Sequence, residues 1–203
     1  KGELFNDKSV QKIISGILDS FSDYIKYPRT FHLPWSPGMS RDDRMMENID
    51  IYEGQRIIVT EKLDGENSSL YPDYIHARSL DGGSHPSRDW LKNLWAQKGY
   101  NIPQGWRVCG ENLYAKHAIH YKKELGNSLK SYFYMFSIWD ENNICLSWDE
   151  TKEWAELLEF ELVPVLYDGI WDMNEINKIT KLMENNPLTK EGYVIRLARE
   201  FHY

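Results

Sequence analysis

Cysteine is scarce in this chain: only Cys109 and Cys145 occur in 203 residues. That excludes a disulfide framework, and with no CxxC pair it excludes a cysteine zinc site; a cytosolic compartment fits best. Long apolar runs are missing too. None approaches the roughly 20 residues that span a bilayer, so no membrane partner is expected, and no signal peptide is visible. There is no strand–GxGxxG–helix unit, and the one Gly-Gly, at 82–83, lies in a polar loop, which excludes a doubly wound dinucleotide fold. Positive charge is short: 24 Lys+Arg against 31 Asp+Glu leave a net charge of −7. A protein that coats duplex nucleic acid is basic, so any nucleic-acid contact must come from a local patch or from chain outside these residues. Internal repeats and low-complexity tracts are absent as well.

What remains is a globular composition, with 41% hydrophobic and 27% charged residues, long enough for one large domain or two small ones. Aromatics reach 14%, with 8 Trp, which points to a Trp-rich core before it points to a stacking surface. Apolar spacing predicts an amphipathic helix over 9–25. Three prolines make 26–44 an irregular loop. "QRIIVTEK" (55–62) reads as a β-branched strand, and "SSLY" and "YIHARS" as a hairpin about Pro72-Asp73. The stretch 86–99 reads as a helix with Pro at its start and Gly at its end; its Trp90, Leu91, Leu94 and Trp95 read as core. "GWRVCGENLY", "YFYMFSIWD", "ICLSW", "LVPVLYDG" and "EGYVIRLA" read as strands, with helices over 149–160, started by an Asp149 N-cap, and 173–185. Hairpins mixed with helices predict an α+β fold with largely antiparallel sheets. The two cysteines fall in strand patterns and read as inert buried thiols.

The stretch "TEKLDGENSSLY" (60–71) carries the chemistry. Lys62 closes an apolar run, where a lysine is costly unless solvated, paired or used. As a nucleophile it would have to lose a proton whose ordinary pKa is about 10.4, which burial or a nearby cation makes easier. Asp64-Gly65 would let backbone approach a ligand with no Cβ between them. Taken alone, Lys62 reads as a surface lysine at the mouth of a turn. Four further features stand with it. Glu191 opens a strand in "EGYVIR", Glu111 follows one in "CGENLYAKH", Arg78 ends a hairpin strand in "HARS", and Phe136 lies in an aromatic strand. Carboxylates bind hard cations such as Mg²⁺, arginine grips phosphate, and an aromatic ring stacks on a base. Each also has a plain structural reading: salt bridge or cap for the glutamates, surface charge for Arg78, core for Phe136.

Together and in this order, these stretches resemble the ATP-dependent RNA ligase family, among the covalent lysyl-nucleotidyltransferases that include DNA ligases and mRNA capping enzymes. The resemblance runs from about Tyr27 to Leu197. "EKLDGEN" looks like the family's first motif, and its closing Asn67 is more like RNA ligases than DNA ligases. The resemblance implies that Lys62 becomes adenylylated, that Glu61 contacts the adenine amino group, and that Leu63 and Asn67 belong to the ATP/AMP site. It places Arg78 on ribose or phosphate, Glu111 on the ribose, the Phe136 ring on adenine, and Glu191 near the metal. Arg29 and His32, in "YPRTFHLPWS", are weaker candidates. The implied fold is a nucleotidyltransferase (ATP-grasp-like ligase) domain, with antiparallel sheets flanked by helices around an ATP cleft. The implied cofactors are ATP, as AMP on Lys62, and Mg²⁺ or Mn²⁺. The implied partner is RNA with a 5′-phosphate and a 3′-OH, met in the cytoplasm, a host's if the chain is phage-encoded.

Two departures qualify this. Ser137 follows Phe136 where some relatives carry Asp. The fifth motif, with its two phosphate-binding lysines, is not found, so the resemblance implies one domain over 1–203 that stops short of that motif. "AKHAIHYKK" (115–123), with Lys116, His117, Lys122 and Lys123 among aromatics, reads either as an RNA-backbone track or as a solvated loop. "SHPSRDW", with His85, Ser87 and Arg88, reads either as a 5′-phosphate contact or as a helix cap. A non-catalytic nucleotide- or RNA-binding module, a DNA ligase and a capping-type enzyme stay open as alternatives.

Overall fold

The computed structural model describes residues 24–37, 44–80, 85–115, 117–119, 121 and 129–202. Among them lie ten strands: β1 Arg56–Lys62, β2 Glu66–Leu70, β3 Ile75–Ala77, β4 Arg107–Asn112, β5 Phe133–Trp139, β6 Ile144–Cys145, β7 Glu161–Leu162, β8 Val165–Ile170, β9 Gly192–Leu197 and β10 Phe201–His202. Three α-helices accompany them: α1 Asp89–Lys98, α2 Trp148–Leu157 and α3 Met173–Glu184. No helix among the described residues is long and apolar enough to cross a membrane.

Two sheets form. β1, buried everywhere except its two ends, lies between β8 and β9 in a small antiparallel sheet. Helix α3 turns Ile176, Ile179 and Met183 toward Ile57, Val59 and Ile195 of that sheet, an i, i+3, i+7 stripe that buries one helix face. The larger sheet runs β10-β6-β5-β4-β2-β3, with β7 attached to β5. β5–β7 is the one parallel strand pair among the described residues, so the α+β, largely antiparallel expectation holds. Leu91, Ala155 and Leu158 pack with Val108, Phe133 and Met135, with Trp90, Leu94 and Trp95 partly buried around them. Ile58 and Leu63 meet Tyr134, Trp148 and Val163 in a second cluster, where the two sheets touch. Cys109 and Cys145 are free and buried, and burial pushes both thiols up, Cys145 to about 11.

Four elements differ from the sequence reading. The cap of α2 is Ser147 and not Asp149: the Ser147 hydroxyl accepts from the Glu150 N–H while the Glu150 carboxylate accepts from the Ser147 N–H, a reciprocal pair that satisfies two otherwise orphaned donors. Asp149 is drawn instead to Arg56 at 2.6 Å and Lys152 at 2.8 Å; Arg56 also reaches Asp168 at 2.7 Å. α2 stops early, at Leu157, because Glu159 turns left-handed at φ 55°. "LVPVLYDG" is split at Val163-Pro164. Pro164 has no N–H for a ladder, and its carbonyl accepts the Glu61 N–H at 2.9 Å, so the chain changes sheets there. Helix α1 is preceded by a single 3₁₀ turn, Pro86–Arg88, capped by His85. Of the helix expected over 9–25, residues 9–23 lie outside the described residues, and Tyr24 and Ile25 are irregular. The hairpin about Pro72-Asp73 forms as expected, Tyr71 N–H donating to Tyr74 O at 2.8 Å.

The turn from β1 to β2 fits tightly against the end of β4. A Cβ on Gly65 would lie 2.5 Å from Asn112 O and 2.8 Å from Leu113 Cδ2. The glycine is needed for this internal contact. Gly65→Ala is therefore expected to cost about 1–3 kcal/mol through overpacking, a fall of roughly 2–10 °C in Tm for a chain of this size. Scanning calorimetry checks this; an unchanged Tm would refute the tight contact.

Candidate active site

The β1–β9 ladder builds the centre of the site. It sets Glu61 opposite Tyr193 and Lys62 opposite Gly192. Just before Gly192 the chain presents Lys190 and Glu191, and two ion pairs cross the strand end. The Lys62 ammonium pairs with the Glu191 carboxylate, and the Lys190 ammonium donates to Glu61 Oε2 at 2.5 Å. The order Glu-Lys on β1 is met by Lys-Glu ahead of β9. Alternation along the strand sends the two residues of β1 to different surroundings: Lys62 is exposed, and Glu61 is buried at 4%.

The larger sheet adds Glu111 from β4, with Asn67 of β2 opposite it in the ladder. The Glu111 carboxyl is pushed up to about 8, chiefly by burial; Lys62 and the Gly65 N–H oppose this, while the charges of Glu191 and Asp64 add to it. Asn67 Oδ1 is buried with no hydrogen-bond partner among the described residues, an acceptor left for a ligand. Asp64 braces the site from behind. Its N–H donates to the Tyr121 hydroxyl at 2.6 Å and its carboxylate accepts the Ile119 N–H at 2.7 Å. Burial raises the Tyr121 phenol well above its usual range, and the charges of Asp64, Glu61 and Glu191 raise it further.

Phe136 reaches the same region through an irregularity. Cys109 pairs with Ser137 but Gly110 with Met135, which leaves Phe136 as the extra residue of a bulge, the device that re-aims a side chain out of a regular ladder. Tyr27 packs edge-on against its ring at 5.2 Å between centroids. Leu63 is buried in the cluster between the sheets.

Arg78 follows β3, exposed, and makes no hydrogen bond or ion pair among the described residues. Arg88 forms a two-pronged pair with Glu66, at 2.8 and 2.6 Å, and His85 accepts from the Ser87 N–H as a cap; both have structural work. His32 bridges to Met45 in the same irregular segment as Arg29. His117 is exposed, whereas Lys116, Lys122 and Lys123 lie outside the described residues. Sequence reasoning missed Lys190, Tyr121 and Tyr27. Only Lys190 had a readable signal: opposite charges in reversed order on two strands that pair antiparallel.

No cluster of three or more His, Cys, Asp or Glu among the described residues could hold a metal ion. The donor set nonetheless suits a hard divalent cation taken up with its substrate. Such an ion uses one or two carboxylates plus phosphate oxygens, and Glu191 supplies a carboxylate beside Lys62.

A family model described as RNA ligase matches residues 55–202, a span that holds every residue from Glu61 to Glu191 placed above. No match was found among curated protein sequences. Among solved structures the chain is similar to RNA ligase of Naegleria gruberi. The likeness to an apo form of a substituted enzyme has 18% identity over 74% of this chain and 48% of that one, with a TM-score of 0.53. For the form with pyrophosphate the values are 20%, 74%, 48% and 0.51. For a substituted form with ATP and Mn they are 21%, 74%, 49% and 0.52. The chain thus spans about half the length of these ligases. Likeness at this identity shows the fold, which is the nucleotidyltransferase arrangement that the sequence resemblance implied.

The raised Glu111 pKa has a direct consequence for stability. Its folded value, about 8, lies above the ordinary carboxyl value of 4.5, so the folded state holds a proton that the unfolded state gives up. The contribution is complete below the lower value and is lost as pH rises through the upper one. The stability of the unaltered protein relative to Glu111→Gln is expected to fall between about pH 5 and pH 9, as read from urea unfolding of both. A difference that stays constant with pH would refute the raised value.

Proposed function

The chain belongs to the RNA ligase family, and from that premise and the geometry around Lys62 we propose that it is an ATP-dependent RNA ligase working through its own lysine. The observation that carries the proposal is the meeting of Lys62 of β1, Glu111 of β4 and Glu191, the residue just ahead of β9, at the end of β1. Lys62 Nζ, as free amine, attacks the α-phosphorus of ATP. An N–P bond forms, and the bond to the leaving pyrophosphate oxygen breaks. The lysyl-bound AMP then passes to the 5′-phosphate of an RNA, and an RNA 3′-OH attacks that phosphate as AMP leaves. A phosphoramidate suits a temporary carrier because it forms and breaks readily.

Each neighbour has a role in this reading. Without nucleotide Lys62 is held by Glu191, so the pair must open before the amine can attack. Glu191, with the nucleotide's own phosphates, would hold Mg²⁺ or Mn²⁺, which offsets charge on the departing pyrophosphate. Glu61 meets the adenine amino group, Phe136 stacks on the ring, Glu111 and Arg78 take ribose and phosphate, and Leu63 and Asn67 complete the pocket. The stretch 115–123, with Lys116, His117, Lys122 and Lys123, follows the RNA backbone. The solved ligases with ATP and Mn and with pyrophosphate support the substrate and the metal by likeness.

With labelled ATP and Mg²⁺, the unaltered chain is expected to carry label through denaturing electrophoresis, and Lys62→Ala to carry none. GTP should not replace ATP. A labelled alanine variant would exclude Lys62 as nucleophile. ATP binding without any gain of AMP mass would favour a non-catalytic module, and labelling by GTP a capping-type enzyme.

A further inference from the structure

Lys190 is the one member of the crossed ion pairs to which the proposed chemistry gives no task. Its partner is unusual: Glu61 is 4% exposed, its N–H is spent on Pro164 O, and its carboxylate takes Lys190 on Oε2. The other oxygen, Oε1, makes no hydrogen bond among the described residues. A buried carboxylate without a cation is strongly penalised and takes up a proton instead. Among the described residues, the other groups placed beside Glu61 above supply no cation to it. Tyr121 is a buried phenol whose hydroxyl accepts from Asp64, and Glu191 is itself acidic and holds Lys62. Tyr193, opposite Glu61 in the ladder, has its hydroxyl engaged with Trp35 and Thr180. Lys190 is therefore the cation that the structure pairs with Glu61.

We infer that Lys190 determines the base specificity of the site by holding Glu61 in its ionised, acceptor-only form. This rests on the reading of Glu61 as the residue that meets the adenine amino group. An ionised carboxylate can only accept, whereas a protonated one can also donate. Adenine offers an amino donor where guanine carries a carbonyl acceptor. The anion accepts from the first and repels the second; the neutral acid tolerates both. Lys190 acts through Glu61 and is a positioning residue, not a catalytic one.

The test is equilibrium binding of AMP and GMP, which bind without reacting, at about pH 6 and about pH 8.5. The unaltered chain is expected to prefer AMP equally at both. Lys190→Met should lower that preference roughly 10- to 100-fold at the lower pH, the value of one hydrogen bond to a charged group, with partial recovery at the higher pH as Glu61 ionises. Lys190→Arg should keep the original pattern. The double variant Glu61→Gln with Lys190→Met leaves no buried charge, so it guards against misfolding of the single one; it should show the lowered preference with no pH dependence. A folded Lys190→Met that keeps its preference at both pH values overturns the inference, as does a double variant that keeps it. An unaltered chain that binds GMP as well as AMP overturns both the reading of Glu61 and the inference. Adduct formation at Lys62 is scored separately and survives either result.

Discussion

Everything at the site depends on the register of β1 against β9. The ladder runs without a shift from Ile57 opposite Leu197 to Lys62 opposite Gly192. A slip of one residue would turn every side chain of β1 to the other face, which would bury Lys62 and expose Glu61. Ile57, Ile58 and Val59 are buried on both faces of the strand at 0% exposure each, so a slip would have to repack both sides of it at once. The hydrophobic core thus does the work of placing two charges, and the residues ahead of β9 complete the arrangement by neutralising both.

The larger sheet contributes differently. Its part of the site comes from departures from regularity: a bulge that frees Phe136, a glycine that lets the Asp64 turn sit on Asn112, and the ties from Asp64 to Ile119 and Tyr121. Each fixes a side chain or a backbone segment relative to β4, so Glu111 and Asn67 are held by elements on both sides. Asn67 Oδ1, buried without a partner among the described residues, and the proton-holding Glu111 are costs of the kind that a fold accepts at a ligand site.

Most of the strands and helices were legible because they announce themselves in periodicity: the β-branched run of β1, the Pro72-Asp73 hairpin, the apolar stripe of α3. Lys62, Glu111, Glu191 and Phe136 were legible through family-like motifs, not through local physics, since each alone has an ordinary structural explanation. What stayed hidden is pairwise. Ser147 won the α2 cap over Asp149 because Glu150 reciprocates it, while Arg56, distant in sequence, claims Asp149. Arg88 looked available to RNA, and its partner Glu66 stands 22 positions earlier. The bulge at Phe136 arises between two strands and leaves no mark in either. Pro164 was visible, but that it divides a strand between two sheets follows only from what β1 needs at Glu61.

Arg56 and Lys62 stand at the two ends of one buried strand, each gripped by carboxylates from other elements: Asp149 and Asp168 at one end, Glu191 at the other. Each residue of a strand advances the chain by about 3.3 Å, so one inserted or deleted residue between these anchors would pull one of them out of reach and invert the rest. The segment therefore behaves as a ruler of fixed length. Substitutions within it can be absorbed by repacking, but changes in length can be accommodated only in connections such as 71–74 or 140–143, which carry neither anchor.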